Sequence, residues 1–481
     1  MSAVDPLTLT DRVGRTWERD ILPALAEYIA IPNESPLFAP DWDERGDMAH
    51  AVALVRDWCA SRPIEGATVA VRALAGRTPV VVVEVPAWPA TPGEGVVSAD
   101  TVLLYGHLDK QPAMTGWDEG LGPWTPVRRG EKLYGRGGAD DGYAAFASLT
   151  AIEAVRAAGG SHARCVLLIE ASEESGSPDL PAHVEALADR IGSPSLVVCL
   201  DSGCATYDRL WVTTSLRGLV GATVTVDVLT EGVHSGGAGG VVPSSFRVLR
   251  ALLERIEDAT TGELLLPELH GAVPADRAAQ LETTAAELGA RPGAGFPVID
   301  GLVVHADGDA VAQLRARTWA PALAYIGIDG VPPMSAAGNV LRPRTAVKLS
   351  FRLAPTVDSD RAAAAIEAAL SRTPPHGAHV TVDVADRAAG WNAPPFDPWL
   401  EEAVRSASET VYGRPARMIG EGGSIPFMAM LGERFPAAQF LVTGVLGPGS
   451  NAHGPNEFLH VPYATKLTGA VAHVLDAHAR R

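Results

Sequence analysis

Cysteine is scarce in this chain of 481 residues: there are four, Cys59, Cys165, Cys199 and Cys204, and no CxxC pair. That argues against a thiolate metal site or a disulfide framework. Cys165 and Cys199, set in apolar runs, read as small buried hydrophobes. Basic residues are also few beside acidic ones, 39 against 57, for a net charge of −18. No basic stripe interleaved with aromatics offsets that balance, so neither nucleic acid nor an anionic membrane is expected as a partner. No apolar run reaches the roughly 18–20 residues of a membrane span. The opening MSAVDPLTLTDRVGRTWERDILPAL shows no basic stretch followed by an apolar one, so no secretory signal is expected. A GxSxG nucleophile elbow is missing, which removes the usual serine-hydrolase reading. Repeats and low-complexity tracts are missing too. The expectation left standing is a cytoplasmic protein without disulfides, 47% hydrophobic, 20% charged and long enough for two domains.

What is present is an alternation. TPVVVVEVPA (78–87), TVLLYGHLD (101–109), RCVLLIEAS (164–172) and SLVVCLDSG (195–203) are apolar strand candidates. Helical patterns separate them, including 141–160, which stops at Gly-Gly. Such runs predict a mostly parallel sheet flanked by helices on both faces, with ligands beyond the carboxyl ends of its strands. After about Thr213 the period changes to two in GLVGATVTVDVLT, and a helix follows at 243–258. A Gly/Pro-richer stretch of about 70 residues comes next. Then AVKLSFRLAP, DSDRAAAAIEAALSRT and HVTVDVADRA read as strand, helix and strand. This order resembles a small ferredoxin-like layer, and the first style returns from PPFDPWLEEAVRSASETVYG onward. The reading is an α/β domain (1–213 and 391–481) interrupted by an inserted α+β domain (214–390).

His, Asp and Glu recur where the strands end. His107 and Asp109 close the second run, and Asp140 and Asp141 follow in the Gly-rich YGRGGADDGY. Glu173 and Glu174 end the next strand, Asp201 the one after, and His453 lies in PGSNAHGPNE. A single strand-end Asp is usually a cap or turn former. Nitrogen and oxygen donors gathered on one edge of one sheet suit zinc and similar divalent ions without any cysteine. The HxD spacing fits as well, since a metal-bound His107 needs an acceptor such as Asp109 for its other ring proton. The pair Glu173–Glu174 is awkward, because neighbours on a strand face opposite ways.

The ordered stretches GHLDKQP, GRGGADDG, EESGS, LDSG, HSGGAGG, EGGSIP and AHGPNE resemble the motifs of the co-catalytic dizinc peptidases. That family includes carnosinases, cytosolic non-specific dipeptidases, aminoacylases, succinyl-diaminopimelate desuccinylase and glutamate-releasing carboxypeptidases. The resemblance spans about Leu103 to Glu457 and, with GWDEGLGPWTPV, is greatest to the carnosinase and dipeptidase branch. It implies two divalent ions, zinc with manganese or cobalt as alternatives, bridged by Asp140. His107 and Asp201 would complete one ligand set, and Glu174 and His453 the other. Glu173 would be the general base and Asp109 would orient His107. His234 would help hold the developing oxyanion, reaching an active site across the dimer interface in many members. Asn339 and Arg352 would bind the substrate carboxylate, and Ser424 would donate to substrate from a closing loop. Read without the family, His234 is also an ordinary turn histidine, Arg352 a solvated strand arginine and 421–426 a structural turn.

The resemblance also implies a homodimer through the inserted lid or dimerisation domain and a cis peptide at Asp140–Asp141. The expected activity is hydrolysis of dipeptides or related amides bearing a free carboxylate. Deacylation or desuccinylation of N-acyl-amino acids and glutamate-type carboxypeptidase action are the alternatives, with an inactive metal-binding scaffold more remote. Two departures stand out. Gly142 and Tyr143 replace the Lys-Gly that usually follows the second aspartate, removing a cation near the metals. The stretch 259–330 matches no motif, and substrate selection is expected there.

Overall fold

Seven residues, TVLLYGH, whose ionisable side chains are Tyr105 and His107, form a strand that is buried along its whole length. It is the third of ten principal strands in this computed structural model, which describes residues 4–89, 100–294 and 296–481. In chain order these are β1 (Thr68–Arg72), β2 (Val80–Val85), β3 (Thr101–His107), β4 (Arg164–Glu170), β5 (Pro194–Cys199), β6 (Gly218–Asp227), β7 (Ala322–Asp329), β8 (Arg344–Leu353), β9 (His379–Ala388) and β10 (Gln439–Val442). The described chain divides into two compact units. The first is Met1–Thr214 with Ala393–Ile419 and Met430–Arg481; the second is Ser215–Asn392 with Gly420–Ala429.

The first unit is built on a six-stranded sheet in the order β1-β2-β4-β3-β5-β10. Four neighbours, β4, β3, β5 and β10, run parallel. The sheet is nevertheless mixed, because β2 pairs antiparallel with β4 and β1 with β2. The parallel strands are apolar on both faces, as two-sided cover requires. Helices α1 (Ala144–Ala157), α2 (Ser245–Leu253), α3 (Ser359–Ser371), α4 (Pro398–Tyr412) and α5 (Val461–Ala479) follow in chain order. In the first unit α1 is almost wholly buried and packs against α5, which in turn packs on α4. The register fixes one consequence for chemistry. His107 pairs with Glu170, Tyr105 with Cys199, and Cys199 with Val442. The ends of β3, β4, β5 and β10 therefore open onto the same edge.

The second unit holds a four-stranded antiparallel sheet, β7-β8-β6-β9. Val220, Ala222, Val224 and Val226 of β6 point to one face, as the two-residue period demands. There they meet Val248, Leu249 and Leu252 of α2 and Ile366 and Leu370 of α3. With two helices on one face and that strand order, the layer has the ferredoxin-like arrangement. The sequence reading found three of its strands and missed β7. Its ALAYIGID is mostly exposed and broken by a bulge between Tyr325 and Gly327, which hides the alternation. The helices Ala275–Leu288 and Ala310–Thr318 also lie within the stretch that matched no motif.

Gly106 sits immediately before His107, where α1 crosses β3. A Cβ there would lie 2.4 Å from Ala144 Cβ and 2.6 Å from Asp141 Oδ2. Gly14, in the helix Pro6–Thr16, has nothing within 4 Å of the equivalent point. Chemical denaturation should therefore show Gly106→Ala losing about 1–3 kcal/mol to overpacking. Gly14→Ala should hold or gain about 0.4–1 kcal/mol.

Candidate metal centre

The edge where the parallel strands end gathers the predicted ligands into two groups. His107, Asp140 and Asp201 form one, and Asp140, Glu174 and His453 the other. Within each group the donor atoms lie within 4.8 Å of one another. Asp140 belongs to both, and its carboxylate faces both ways. Oδ1 is 3.3 Å from His107 Nε2, and Oδ2 is 3.0 Å from His453 Nε2. His107 Nε2 also lies 3.8 Å from Asp201 Oδ1, and His453 Nε2 lies 3.4 Å from Glu174 Oε2. The Asp140–Asp141 peptide is cis, as the resemblance implied.

The strand alternation that made Glu173 and Glu174 awkward does not apply, because the chain has already left β4. Glu173–Ser175 is a single 3₁₀ turn closed by Gly176 in a left-handed conformation. Three residues per turn set neighbouring side chains about 120° apart rather than on opposite faces. Asp109 pins that turn from below. Its Oδ1 accepts from Glu173 N and its Oδ2 from Glu174 N, each at 3.0 Å. The same carboxylate lies 3.5 Å from His107 Nδ1, which bonds the Asp109 backbone carbonyl at 3.1 Å. Glu174 points into the second group, whereas Glu173 belongs to neither group among the described residues.

The electrostatics ask for a cation. Asp109, Asp140, Asp141, Glu173, Glu174 and Asp201 crowd against two histidines. Burial and the charge of Asp201 raise Glu173 well above the usual carboxylate range. Burial and Asp140 push Glu174 up to about 8. Burial would also raise Asp140, but the neighbouring imidazoles of His107 and His453 hold it below its ordinary value. Burial alone would depress His107, yet the surrounding carboxylates, Asp201 first, lift it well above the imidazole range. Among the described residues its Nε2 is buried without a hydrogen-bond partner. Imidazole nitrogen aimed with carboxylate oxygens at one point is the donor set of zinc-like ions. The residues fit a divalent cation.

A profile of peptidase family M20/M25/M40 matches residues 103–477, spanning all of these motifs. The chain belongs to that family. It is 28% identical over 390 residues to the cysteinylglycine-S-conjugate dipeptidase of Corynebacterium striatum, covering 77% of this chain and 81% of that protein. Identity to the human β-Ala-His dipeptidase is 27% over 375 residues, 74% of this chain and 70% of that one. The fold is shared with two solved structures. These are the dipeptidase Dug1p of Saccharomyces cerevisiae (TM-score 0.78, 21% identity, all of both chains) and human carnosine dipeptidase 1 (0.77, 22%, 99% of each). Among the described residues no helix is long and apolar enough to cross a membrane.

The remaining candidates of this M20/M25/M40 chain lie in the second unit and fall into two pairs. His234 pairs in register with Val340, and Ser235 N donates to Asn339 O at 2.9 Å, so Asn339 lies just before the strand that His234 pairs with, both residues exposed. Arg352 Nη1 donates to Ser424 Oγ at 2.9 Å, and that hydroxyl donates to Arg217 O at 2.6 Å. Arg217 escaped the sequence reading. Its Nε and Nη1 donate to Gly422 O and Ala320 O, bracing the Gly-Gly loop before Ser424. Burial and the charges of Arg352 and Arg317 lower it to about 10. Gln111 was missed too. Its Nε2 donates to Glu174 Oε2 at 2.6 Å, and the signal for it was its place in the His107 motif itself.

The departure at Gly142 has a steric cause. A Cβ there would lie 2.1 Å from Tyr28 Cε1 and 2.6 Å from Gly137 O, so no lysine fits. A lysine is buried against the same ring: Lys110 Nζ sits 4.0 Å from the Tyr28 centroid and donates to Tyr28 O and Ile31 O at 2.7 Å each, and burial lowers its pKa well below the ordinary lysine value.

Asp109→Asn gives the clearest test of the anchor. One turn amide loses its acceptor and His107 loses a charged neighbour. Metal titration should show affinity about 10–100-fold weaker, as for other groups that orient metal ligands, and thermal melting should show a less stable fold.

Proposed function

We propose that the protein is a metal-dependent dipeptidase that hydrolyses the amide bond of dipeptides or similar small peptides bearing a free carboxylate. The centre reads as two divalent ions, zinc foremost, with manganese and cobalt accepted by the same ligands. The observation that carries this reading is Asp140, with one oxygen toward a histidine of each ligand group. The names of the relatives, Cys-Gly metallodipeptidase and β-Ala-His dipeptidase, agree with a dipeptide substrate.

Paired ions at such a site lower the pKa of water and polarise a scissile carbonyl. The chain supplies the rest. Glu173, left out of both ligand groups, takes a proton from the attacking water at a carboxylate oxygen and returns it to the leaving amine nitrogen. Asp109 keeps Glu173 and Glu174 in one turn and orients His107. Arg352 pairs its planar fork with the substrate carboxylate, with Ser424 fixing one guanidinium nitrogen and Asn339 adding a polar contact. His234 donates to the developing oxyanion.

A cytoplasmic homodimer through the second unit completes the reading. Of the nineteen large hydrophobic side chains exposed among the described residues, four lie in the first unit and fifteen in the second. Apolar surface so concentrated favours an interface.

Steady-state kinetics and metal content separate the two glutamates. Glu173→Ala should keep bound metal and lose kcat by about 10²–10⁴-fold, whereas Glu174→Ala should lose metal. Activity surviving in Glu173→Ala would remove the general-base assignment. A panel of free dipeptides, their C-terminal amides and N-acyl-amino acids tests the substrate class. Dipeptides should be turned over best and amides poorly. Preference for N-acyl-amino acids would favour deacylation, and no turnover of any carboxylate-bearing amide would refute both readings.

A further inference from the structure

Arg136 and Glu457 form an ion pair that the proposed chemistry does not use. Both side chains are buried, 1% and 0% exposed, and Arg136 Nη1 donates to Glu457 Oε2. Stripping two charges of water is a poor route to stability, so the other contacts of the pair are informative. Arg136 Nη2 donates to Gly454 O at 2.9 Å, adjoining His453. Arg136 Nε donates to Pro112 O at 3.2 Å, adjoining the Gln111 that holds Glu174. Glu457 Oε1 accepts from Gly137 N at 2.9 Å, on the loop leading to Asp140. One buried pair thus ties together the loop leading to Asp140, the loop of His453 and the loop after β3 whose Gln111 bonds Glu174.

His453 requires such a tie. Its side chain is 53% exposed, so packing does not hold it. Its φ is +65°, with Asn451 at +55° and Asn456 at +60° in the same loop. Left-handed backbone at three non-glycine positions persists only where surrounding contacts impose it. His107, by contrast, is fully buried at the end of β3 and is fixed by the sheet.

We propose that the Arg136–Glu457 pair is a positioning element that selectively sets the affinity of the Asp140–Glu174–His453 group for its ion, leaving the His107–Asp140–Asp201 group to the sheet. The proposal rests on the two-ion reading. The test titrates metal-free wild type, Arg136→Lys, Glu457→Gln and His453→Ala with buffered zinc and counts bound zinc per chain by mass spectrometry, with melting temperatures in parallel.

Wild type should bind two equivalents. Arg136→Lys and Glu457→Gln should keep one at wild-type affinity and bind the other at least about 10-fold more weakly. The weakened equivalent should be the one His453→Ala loses, and excess zinc should restore kcat. Wild-type affinity for both ions in the variants overturns the proposal, as does parallel loss of both in step with the melting temperature. Wild type binding fewer than two equivalents refutes the two-ion reading instead. Because a single substitution strands a buried charge, Arg136→Met/Glu457→Met, which leaves none, carries the same titration with the same two outcomes.

Discussion

Asp140 offers one carboxylate oxygen to each of two histidines that arrive from opposite ends of the chain, His107 from β3 and His453 from beyond β10. Nearly everything else at this edge serves that arrangement. Four parallel strands must end level for His107, the Glu173–Ser175 turn and Asp201 to meet around it. The apolar bodies of those strands supply the burial, and burial pushes Asp141, Glu173 and Glu174 up from the usual carboxylate range. Six acidic side chains around two imidazoles are electrostatically unfavourable without a cation, whereas buried charges that coordinate metal are compensated.

The pair Glu173–Glu174 shows how local geometry places adjacent residues differently. A strand would have turned them apart, and a full α-helix has no room between the end of β4 and Gly176. A single 3₁₀ turn, pinned through both backbone amides by Asp109, lets Glu174 enter the second ligand group. Glu173 stays outside it. Asp109 therefore contacts the glutamate turn as well as His107, and the first contact was invisible in the HxD spacing.

Legibility in the sequence followed burial. The strand ends bearing His107, Glu173, Glu174 and Asp201 were readable because continuous apolar runs stop there. The small antiparallel layer showed in the two-residue period of β6 and in β8 and β9. Strand β7 was not legible, since its side chains are exposed and a bulge breaks the alternation. Arg217 acts through hydrogen bonds to residues far along the chain, which no local pattern announces. The exchange at Gly142 was half legible. The missing lysine was plain, but the reason, a Tyr28 ring filling its place with Lys110 on that ring, exists only in three dimensions.

The central claim is that Asp140 is shared by two ions and that Glu174, but not Glu173, ligates one of them. Anomalous diffraction from zinc-loaded crystals at the zinc edge tests it most directly. The account predicts two peaks flanking Asp140, one bounded by His107 and Asp201, the other by Glu174 and His453, with Glu173 outside ligand distance of about 2.0–2.2 Å from both. A single peak, or a peak coordinated by Glu173, would contradict it.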